Sequence, residues 1–253
     1  MVFYFTATGN SLYVAKQLDA NLISIPQAIH NDCLEFEDDT IGIVCPIFGH
    51  EVPEMVRDFM QKAAFKTEYF YMVLTYGNRH GEAAELADEL ASSLGIAAAY
   101  INTVLMVDNF LPAFDMDEQR KLDKKVDGQI SEIKADIQNR KFAVQAATDA
   151  DRAAHQEYLS RSTKNTTERF KGLYDVTDKC VGCGICAKVC PAGCFHIENG
   201  KAVQNEDGCQ VCMACVHHCP HKAIRFTTPE KNPNARYRNE NVSLAEIIAA
   251  NQQ

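Results

Sequence analysis

Residues 180–191 read CVGCGICAKVCP, and residues 209–220 read CQVCMACVHHCP. Both stretches carry the spacing C-x2-C-x2-C-x3-C-P, and each cysteine of the first stretch lies 29 residues before its counterpart in the second. The two stretches are therefore an internal repeat without insertions, which predicts one structural unit formed twice. The repeated cysteines are Cys180, Cys183, Cys186, Cys190, Cys209, Cys212, Cys215 and Cys219.

Each repeat supplies four thiolates, and a cubane iron–sulfur cluster has four iron corners to bind. Two intervening residues let three consecutive thiolates on a tight turn reach three iron corners of one cluster. The thiolate for the fourth corner must then come from another part of the chain. The spacing resembles that of bacterial ferredoxins with two [4Fe-4S] clusters, in which the fourth cysteine of each repeat binds the other cluster. The resemblance implies two ligand sets: Cys180, Cys183, Cys186 and Cys219, and Cys209, Cys212, Cys215 and Cys190.

Zinc is the alternative metal, because it also binds thiolates. Zinc ribbons use two separated cysteine pairs, whereas three close cysteines followed by Cys-Pro, and then repeated, are typical of ferredoxins. Cys194 aligns with Ala223 of the second repeat, so we expect a small packed side chain there rather than a ligand. His217 and His218 flank Cys219, and we expect them to be surface groups or outer neighbours of the ligands.

Length and charge restrict the classes of protein. The chain has 253 residues with 46% apolar and 23% charged side chains, which suits two globular domains. Its net charge of −9 argues against nucleic acid binding and favours small redox proteins as partners. Nine of the eleven cysteines lie between residues 180 and 219, which is typical of a protein in a reducing cytoplasm. No stretch approaches the roughly 18 apolar residues of a membrane span, and the sequence indicates no oligomeric state.

The N-terminal segment predicts an anion site. Residues 2–5 are apolar and predict a central parallel strand, residues 6–11 form a polar loop (TATGNS), and Leu12, Ala15 and Leu18 then follow helical spacing. A loop between a strand and a helix N-terminus offers unpaired N–H groups to an anion. Residues 2–15 contain no Lys or Arg, and both the G-K-[ST] triplet and the G-x-G-x-x-G fingerprint are absent, which argues against nucleoside triphosphates and dinucleotides.

The polar loop resembles the loop [ST]-x-T-G-x-[ST] that binds the FMN phosphate in the flavodoxin family. The resemblance implies that FMN phosphate binds to Thr6, Thr8, Gly9, Asn10 and Ser11.

Further strand-like stretches occur at residues 22–25, 41–45, 69–74 and 98–105. Apolar stripes at helical spacing separate or follow them, at residues 52–63, 83–94 and 122–137. Five strands interleaved with helices fit an α/β fold with a flavodoxin-like, doubly wound parallel sheet in the order 2-1-3-4-5.

Ligands of such sheets bind at the carboxyl ends of the strands. Residues 46–50 and 75–81 leave those ends and resemble the flavodoxin loops that enclose the isoalloxazine ring. Phe48 and Tyr76 are expected to stack on the ring, although ordinary packing is the alternative for each. The resemblance implies these further FMN contacts: Pro46, Phe48, Gly49, Thr75, Tyr76, Gly77, Asn78, Gly81 and Asn109.

The whole arrangement resembles flavodoxin–ferredoxin fusion proteins of anaerobic bacteria and archaea. The predicted domains are an FMN-binding domain at residues 1–140, a polar connector at 141–172, a small α+β ferredoxin domain with two clusters at 173–228, and a tail at 229–253. Ser243 is expected to cap a short helix in the tail.

The resemblance implies electron transfer between two [4Fe-4S] clusters and FMN, with external ferredoxin rather than NADH or NADPH as partner. Two alternatives stay open: an iron–sulfur flavoenzyme that reduces a small electrophile such as a quinone or a nitro compound, and a redox-sensing interaction module. No catalytic triad or carboxylate pair marks a substrate site, so no catalytic residue is predicted.

Overall fold

The computed structural model describes residues 1–161 and 172–251. The chain divides into two compact units. Unit 1 consists of the segments Met1–Phe5, Ser11–Met106 and Lys124–Thr163. Unit 2 consists of the segments Thr6–Asn10, Val107–Asp123 and Lys164–Gln253. Part of the expected connector, residues 162–171, lies outside the described residues.

The strands of unit 1 are, in chain order, β1 Val2–Tyr4, β2 Leu22–Ser24, β3 Glu35–Glu37, β4 Thr40–Pro46, β5 Ala64–Lys66, β6 Tyr69–Tyr76, β7 Ala98–Leu105 and β8 Ala143–Val144. Six of them form one parallel sheet in the order β2-β1-β4-β6-β7-β8, and β3 pairs with β5 separately. The prediction of a parallel α/β sheet is confirmed, and its first five strands have the expected order. The expected number of five strands is wrong, because β8 adds a sixth.

Strand β8 escaped prediction because it is only two residues long and lies in a segment interpreted as a polar connector. It pairs with β7 through Ala143 opposite Tyr100. The backbone N–H of Gln145 donates to Ile101 O at 2.9 Å, and its side-chain Oε1 accepts from Thr103 N at 2.9 Å. A long-range pairing of this kind leaves no local periodicity in the sequence.

The helices within residues 1–161 and 172–251 are α1 Asn10–Leu18, α2 Ile25–Ala28, α3 Glu54–Lys62, α4 Ala83–Ser93, α5 Met116–Gln119, α6 Val126–Gln138, α7 Asp149–Arg161, α8 Ile185–Lys188, α9 Ala214–His218 and α10 Leu244–Asn251. Helix α4 ends at Ser93, and Gly95 stops it as expected: its φ is +75°, and Ile96 N donates to Ala91 O. The helix predicted from residue 122 begins instead at Val126, and Leu122 is 53% exposed.

The core of unit 1 is built by the apolar strands and a cluster of phenylalanines. Ile41 and Ile43 of β4 are completely buried, as expected of a strand covered on both faces. Phe3 packs on Phe36 at 4.6 Å and on Phe59 at 5.1 Å between ring centroids. Burial of each such side chain contributes about 1.5–3 kcal/mol.

Unit 2 contains two antiparallel strand pairs and its short helices. Its strands are β9 Tyr174–Val176, β10 Phe195–Glu198, β11 Lys201–Gln204 and β12 Ile224–Phe226. Strand β9 pairs with β12, and β10 pairs with β11. Helices α8 and α9 carry the third cysteine of each repeat, and the cysteine side chains form much of the buried core.

The backbone of unit 2 shows the same repeat as the sequence. Left-handed residues recur 29 positions apart, and their pairs are Gly182 with Val211, Gly184 with Met213, and Gly193 with Lys222. The first repeat uses glycine at all three positions, but the second does not. A left-handed conformation costs a non-glycine residue about 1–2 kcal/mol, so the turn geometry is imposed by the fold rather than by local preference.

The tail contains the expected helix, α10. Ser243 Oγ accepts from Glu246 N at 3.2 Å, and Glu246 Oε2 accepts from Ser243 N at 2.7 Å. This reciprocal pair is a capping box, and it confirms the predicted cap. Among the described residues, no helix is both long and apolar enough to cross a bilayer.

Candidate functional site

Unit 2 has a pocket that opens to solvent, here called cavity I, whose empty space is about 310 Å³ with its open mouth included. It is lined by the thiols of the first ligand set: Cys180, Cys183, Cys186 and Cys219. Apolar side chains, among them Val181, Ile185 and Ile197, complete the wall. Cys183 is exposed, so cavity I lies near solvent.

A second cavity, cavity II, has a volume of about 290 Å³. It is lined by the second ligand set, Cys190, Cys209, Cys212 and Cys215. Tyr174, Phe195 and Met213 also line it, and Cys212 and Cys215 are buried. The two cavities have nearly the same size, as expected of two sites built from one repeat, and each takes one cysteine from the other repeat.

Backbone N–H groups point at cysteine sulfurs in equivalent positions of the two repeats. Cys194 N donates to Cys190 Sγ at 3.2 Å, and Ala223 N donates to Cys219 Sγ at 3.2 Å. Ala202 N donates to Cys180 Sγ at 3.3 Å. Such donors stabilise sulfur that carries negative charge, which is how an iron–sulfur cluster is held and tuned.

The donor set fits a cluster better than a single metal ion. Among the described residues, no group of three or more His, Cys, Asp or Glu side chains is arranged to hold one metal ion. A cubane, by contrast, presents a separate iron atom to each thiolate. Burial raises the pKa of Cys186 to about 11 and the pKa of the Cys212 thiol still further. Bound iron would supply the positive charge that lets these buried thiols lose their protons.

Cys194 is 2% exposed, and it lines cavity II together with the second ligand set. Its thiol donates to the carbonyls of Ala192 and Asp207, both at 3.7 Å. The position is that of a small packed side chain. That Cys194 is not a ligand stays a prediction.

His217 and His218 are buried, which excludes the first of their two expected roles, that of surface groups, and leaves the role of outer neighbours of the ligands as a prediction. His217 donates from Nε2 to Asn109 O at 2.8 Å and accepts from Tyr237 N at Nδ1, at 3.0 Å. Both ring nitrogens of His217 therefore have a hydrogen-bond partner when the imidazole is neutral. Burial lowers the pKa of His217 to about 3. The apolar neighbours Ala214 and Val216 were the signal for burial in the sequence.

The first five residues of the polar loop, Thr6–Asn10, belong to unit 2. Thr6 Oγ1 accepts from Gly9 N at 3.2 Å, and Thr8 Oγ1 accepts from Asn109 Nδ2 at 2.8 Å. Each hydroxyl thus keeps its own hydrogen to donate. Ala7 and Thr8 are buried, and within the described chain no backbone acceptor takes their N–H groups. These donors fit a bound anion such as a phosphate.

Sequence reasoning missed the tail residues that hold this loop. Gly9 has a φ of +101°, and a Cβ there would lie 3.0 Å from the Cβ atoms of Asn239 and Val242. Asn239 N donates to Thr8 O at 2.8 Å. Tyr237 OH donates to Asn10 Oδ1 at 2.7 Å. The signal in the sequence was the density of Asn in the tail.

Asn251 connects the polar loop to a cysteine segment. Its Nδ2 donates to Thr6 O at 3.0 Å and to Val189 O at 3.2 Å, and its side chain is completely buried. Val189 immediately precedes the ligand candidate Cys190. One amide group therefore ties two candidate sites of unit 2 together.

The remaining FMN candidates, apart from Asn109, lie in unit 1. Ser11 Oγ and Thr75 Oγ1 share a hydrogen bond of 2.9 Å. Phe48 and Glu51 close a tight turn at Gly49, whose φ is +61°.

The second candidate loop of unit 1 follows β6. Gly77 O accepts from Lys124 Nζ at 2.5 Å, and Asn78 is exposed. Tyr76 is half-buried, as are Pro46 and Phe48 of the first loop, so these side chains keep a free face. Gly81 is buried and has a φ of +57°.

Comparison with known families matches residues 172–231 to the "4Fe-4S dicluster domain". A ferredoxin of Methanothermococcus thermolithotrophicus is 46% identical over 50 residues, which are 19% of this chain and 83% of that protein. A ferredoxin of Rickettsia felis is 42% identical over 59 residues, 22% of this chain and 54% of that protein. This chain covers 18% and 44% of the length of two other curated relatives.

Among solved structures, one described as a flavoprotein from Bacteroides uniformis covers 43% of this chain and 90% of its own, with 16% identity and a TM-score of 0.33. A likeness of this size carries no argument about fold or cofactor.

Proposed function

This chain belongs, through residues 172–231, to the 4Fe-4S dicluster domain family, and from that premise we propose that it transfers electrons between two [4Fe-4S] clusters and a bound FMN. The observation that carries the proposal is the pair of cysteine-lined cavities in unit 2, one lined by the whole first ligand set and the other by the whole second set together with Cys194. Each cluster moves one electron at a time, and flavin, when bound, accepts one or two.

We assign the cluster ligands as two sets, each completed by the fourth cysteine of the other repeat. The first set lines cavity I and the second lines cavity II. Because Cys183 is exposed, we propose that the cluster of cavity I receives electrons from an external donor. Cys212 and Cys215 are buried, so the cluster of cavity II would lie further from solvent.

The FMN assignment rests on the polar loop. The N–H groups of Ala7 and Thr8, which no backbone acceptor among the described residues takes, and the hydroxyls of Thr6 and Thr8 suit a phosphate without a cation. Phe48 and Tyr76 of unit 1 are proposed as walls for the flavin ring, on the basis of their sequence position and half-exposed side chains.

The proposed electron donor is a reduced external ferredoxin rather than a pyridine nucleotide. The chain lacks the G-x-G-x-x-G fingerprint after its first strand, so NADH and NADPH have no recognisable site there. An iron–sulfur protein can instead pass one electron at a time to an iron–sulfur cluster.

Rapid anaerobic mixing tests this assignment. Wild-type protein is mixed with reduced ferredoxin or with NADH, and the absorbance of clusters and flavin is followed. We expect reduced ferredoxin to bleach both chromophores and NADH to leave them oxidised. A Cys183→Ser variant should lose the fast bleaching by reduced ferredoxin. Cys33→Ser, which changes an exposed cysteine outside both cavities, should keep that fast bleaching. Fast flavin bleaching by NADH would overturn the assignment.

A further inference from the structure

One side chain with a hydroxyl group distinguishes cavity II from cavity I. Ile197 and Phe226 lie 29 residues apart, so they occupy the same position in the two repeats. Ile197 pairs with Ala202, which lines cavity I. Phe226 pairs with Tyr174, which lines cavity II. Tyr174 is therefore the structural counterpart of Ala202, and only the tyrosine carries a hydrogen-bond donor in its side chain.

The ring of Tyr174 is fixed at the start of β9. Phe226 packs edge-on against it, with the ring centroids 5.2 Å apart and an interplanar angle of 68°. Tyr174 is 9% exposed, and its hydroxyl oxygen is buried. Sequence reasoning did not single out Tyr174, because an aromatic residue in a strand is typical of ordinary packing.

The Tyr174 hydroxyl has no hydrogen-bond partner among the described residues. A buried polar group without a partner costs free energy, and in a native protein it indicates a ligand or a chemical role. Burial is the main cause that raises the pKa of Tyr174 well above its usual range, and the four thiols of the second ligand set are the further causes. The hydroxyl therefore keeps its hydrogen and lies within electrostatic reach of that whole set.

Sulfur is the acceptor that the proposed cofactor would bring to this hydroxyl. The sulfurs of an iron–sulfur cluster accept hydrogen bonds, and such bonds help to set its reduction potential. Cys194 is a second difference between the repeats, but its thiol already donates to the carbonyls of Ala192 and Asp207. The donor in cavity II whose acceptor the described chain does not supply is the hydroxyl of Tyr174.

We propose that the Tyr174 hydroxyl donates a hydrogen bond to a sulfur of the cluster in cavity II and raises the reduction potential of that cluster. The inference rests on the proposed function, which places a [4Fe-4S] cluster there. The reducing electron comes from an external reduced ferredoxin, which is oxidised by one electron, and Tyr174 keeps its proton throughout.

The direction of the effect follows from charge. Reduction adds one negative charge to the cluster, and a hydrogen bond to a more negative acceptor is stronger. The hydroxyl therefore stabilises the reduced cluster more than the oxidised one. Cys212 and Cys215 are buried, and burial disfavours an added charge. Tyr174 offsets part of that cost and keeps the buried cluster reducible.

An anaerobic redox titration of the holoprotein, followed by EPR spectroscopy of each reduced cluster, tests the inference. Cys183→Ser changes a ligand of cavity I, so the signal that it leaves unchanged belongs to the cluster of cavity II. We expect Tyr174→Phe, which removes only the hydroxyl, to shift the reduction equilibrium of that cluster about tenfold toward the oxidised form, which is about 59 mV for one electron. The cluster of cavity I should keep its potential. Tyr13→Phe, which removes a hydroxyl of unit 1 that donates to Asp127, should shift neither cluster.

Tyr174→Leu separates the hydroxyl from the packing of the ring. It lacks both, so its shift should be at least as large as that of Tyr174→Phe. A shift in Tyr174→Leu alone would show that packing sets the potential, and it would overturn the inference.

The inference is also overturned if Tyr174→Phe shifts both clusters equally. The same holds if Tyr174→Phe assembles no cluster in cavity II, since a residue that only donates a hydrogen bond to the cluster is not needed to assemble it. All of these outcomes leave the proposed electron transfer intact. Wild-type protein without a cluster in cavity II would instead contradict the proposed function on which the inference rests.

Discussion

Replacement of Asn251 by leucine tests whether the tail ties the polar loop to the cysteine segment before Cys190. The change keeps the side-chain volume but removes the donor that serves Thr6 O at 3.0 Å and Val189 O at 3.2 Å. Each buried carbonyl left without a donor costs about 1–3 kcal/mol. The change also removes Asn251 Oδ1, a buried acceptor that has no partner among the described residues. Its removal stabilises the variant by about the cost of one such unpaired group. The net destabilisation is therefore about 2 kcal/mol.

Amide hydrogen exchange of the oxidised holoprotein measures this coupling directly. A loss of about 2 kcal/mol in local opening free energy speeds exchange roughly 30-fold. We expect the increase at the amides of both Gly9 and Cys194, which are hydrogen-bonded in the two connected segments. Asn234→Leu, which changes an exposed tail residue, is the control. If neither amide of Asn251→Leu exchanges faster, the Asn251 hydrogen bonds do not stabilise these segments. If only one amide exchanges faster, Asn251 does not connect the polar loop to the cysteine segment.

Three further predictions concern the sites and the fold. Cys194→Ala should retain both clusters, measured as iron and acid-labile sulfide, and loss of one cluster would show that Cys194 is a ligand. Thr8→Ala combined with Ser11→Ala should weaken FMN binding at least about tenfold, since each charge-assisted hydrogen bond contributes about 1.5–3 kcal/mol, and should leave iron content unchanged. Equal FMN affinity would place the flavin elsewhere. The hydrogen bond from His155 lowers the pKa of Glu82, so its contribution to stability is present above the ordinary glutamate pKa and is lost as pH falls through the lowered value. The difference in thermal midpoint between wild type and Glu82→Gln should therefore become smaller as the pH is lowered. A difference that does not change with pH would contradict the claim that the hydrogen bond from His155 to ionised Glu82 stabilises the fold.

Local patterns in the sequence predicted the elements that depend on near neighbours. Cysteine spacing predicted the two groups of cysteines that line cavities I and II, and the repeat also appears in the backbone conformation. Apolar stretches predicted five strands of the sheet, and the Ser243 capping signal predicted the last helix.

Features that depend on distant segments were missed. Strand β8 is recognisable only through its pairing with Tyr100, 43 residues earlier. Asn251 meets Thr6 across 245 positions. The left-handed residues Val211 and Met213 carry no glycine signal, because their conformation is imposed by the turn around the cysteines. Composition alone could not reveal the stacking of His50 on His155, since histidine is common in solvated loops.

The central claim, two [4Fe-4S] clusters and one FMN in this chain, is tested most directly by cofactor analysis of protein purified without oxygen. The account predicts about eight iron atoms, about eight acid-labile sulfides and one FMN per chain, and no zinc. Four irons per chain, stoichiometric zinc, or protein that binds no FMN when the flavin is supplied would contradict it.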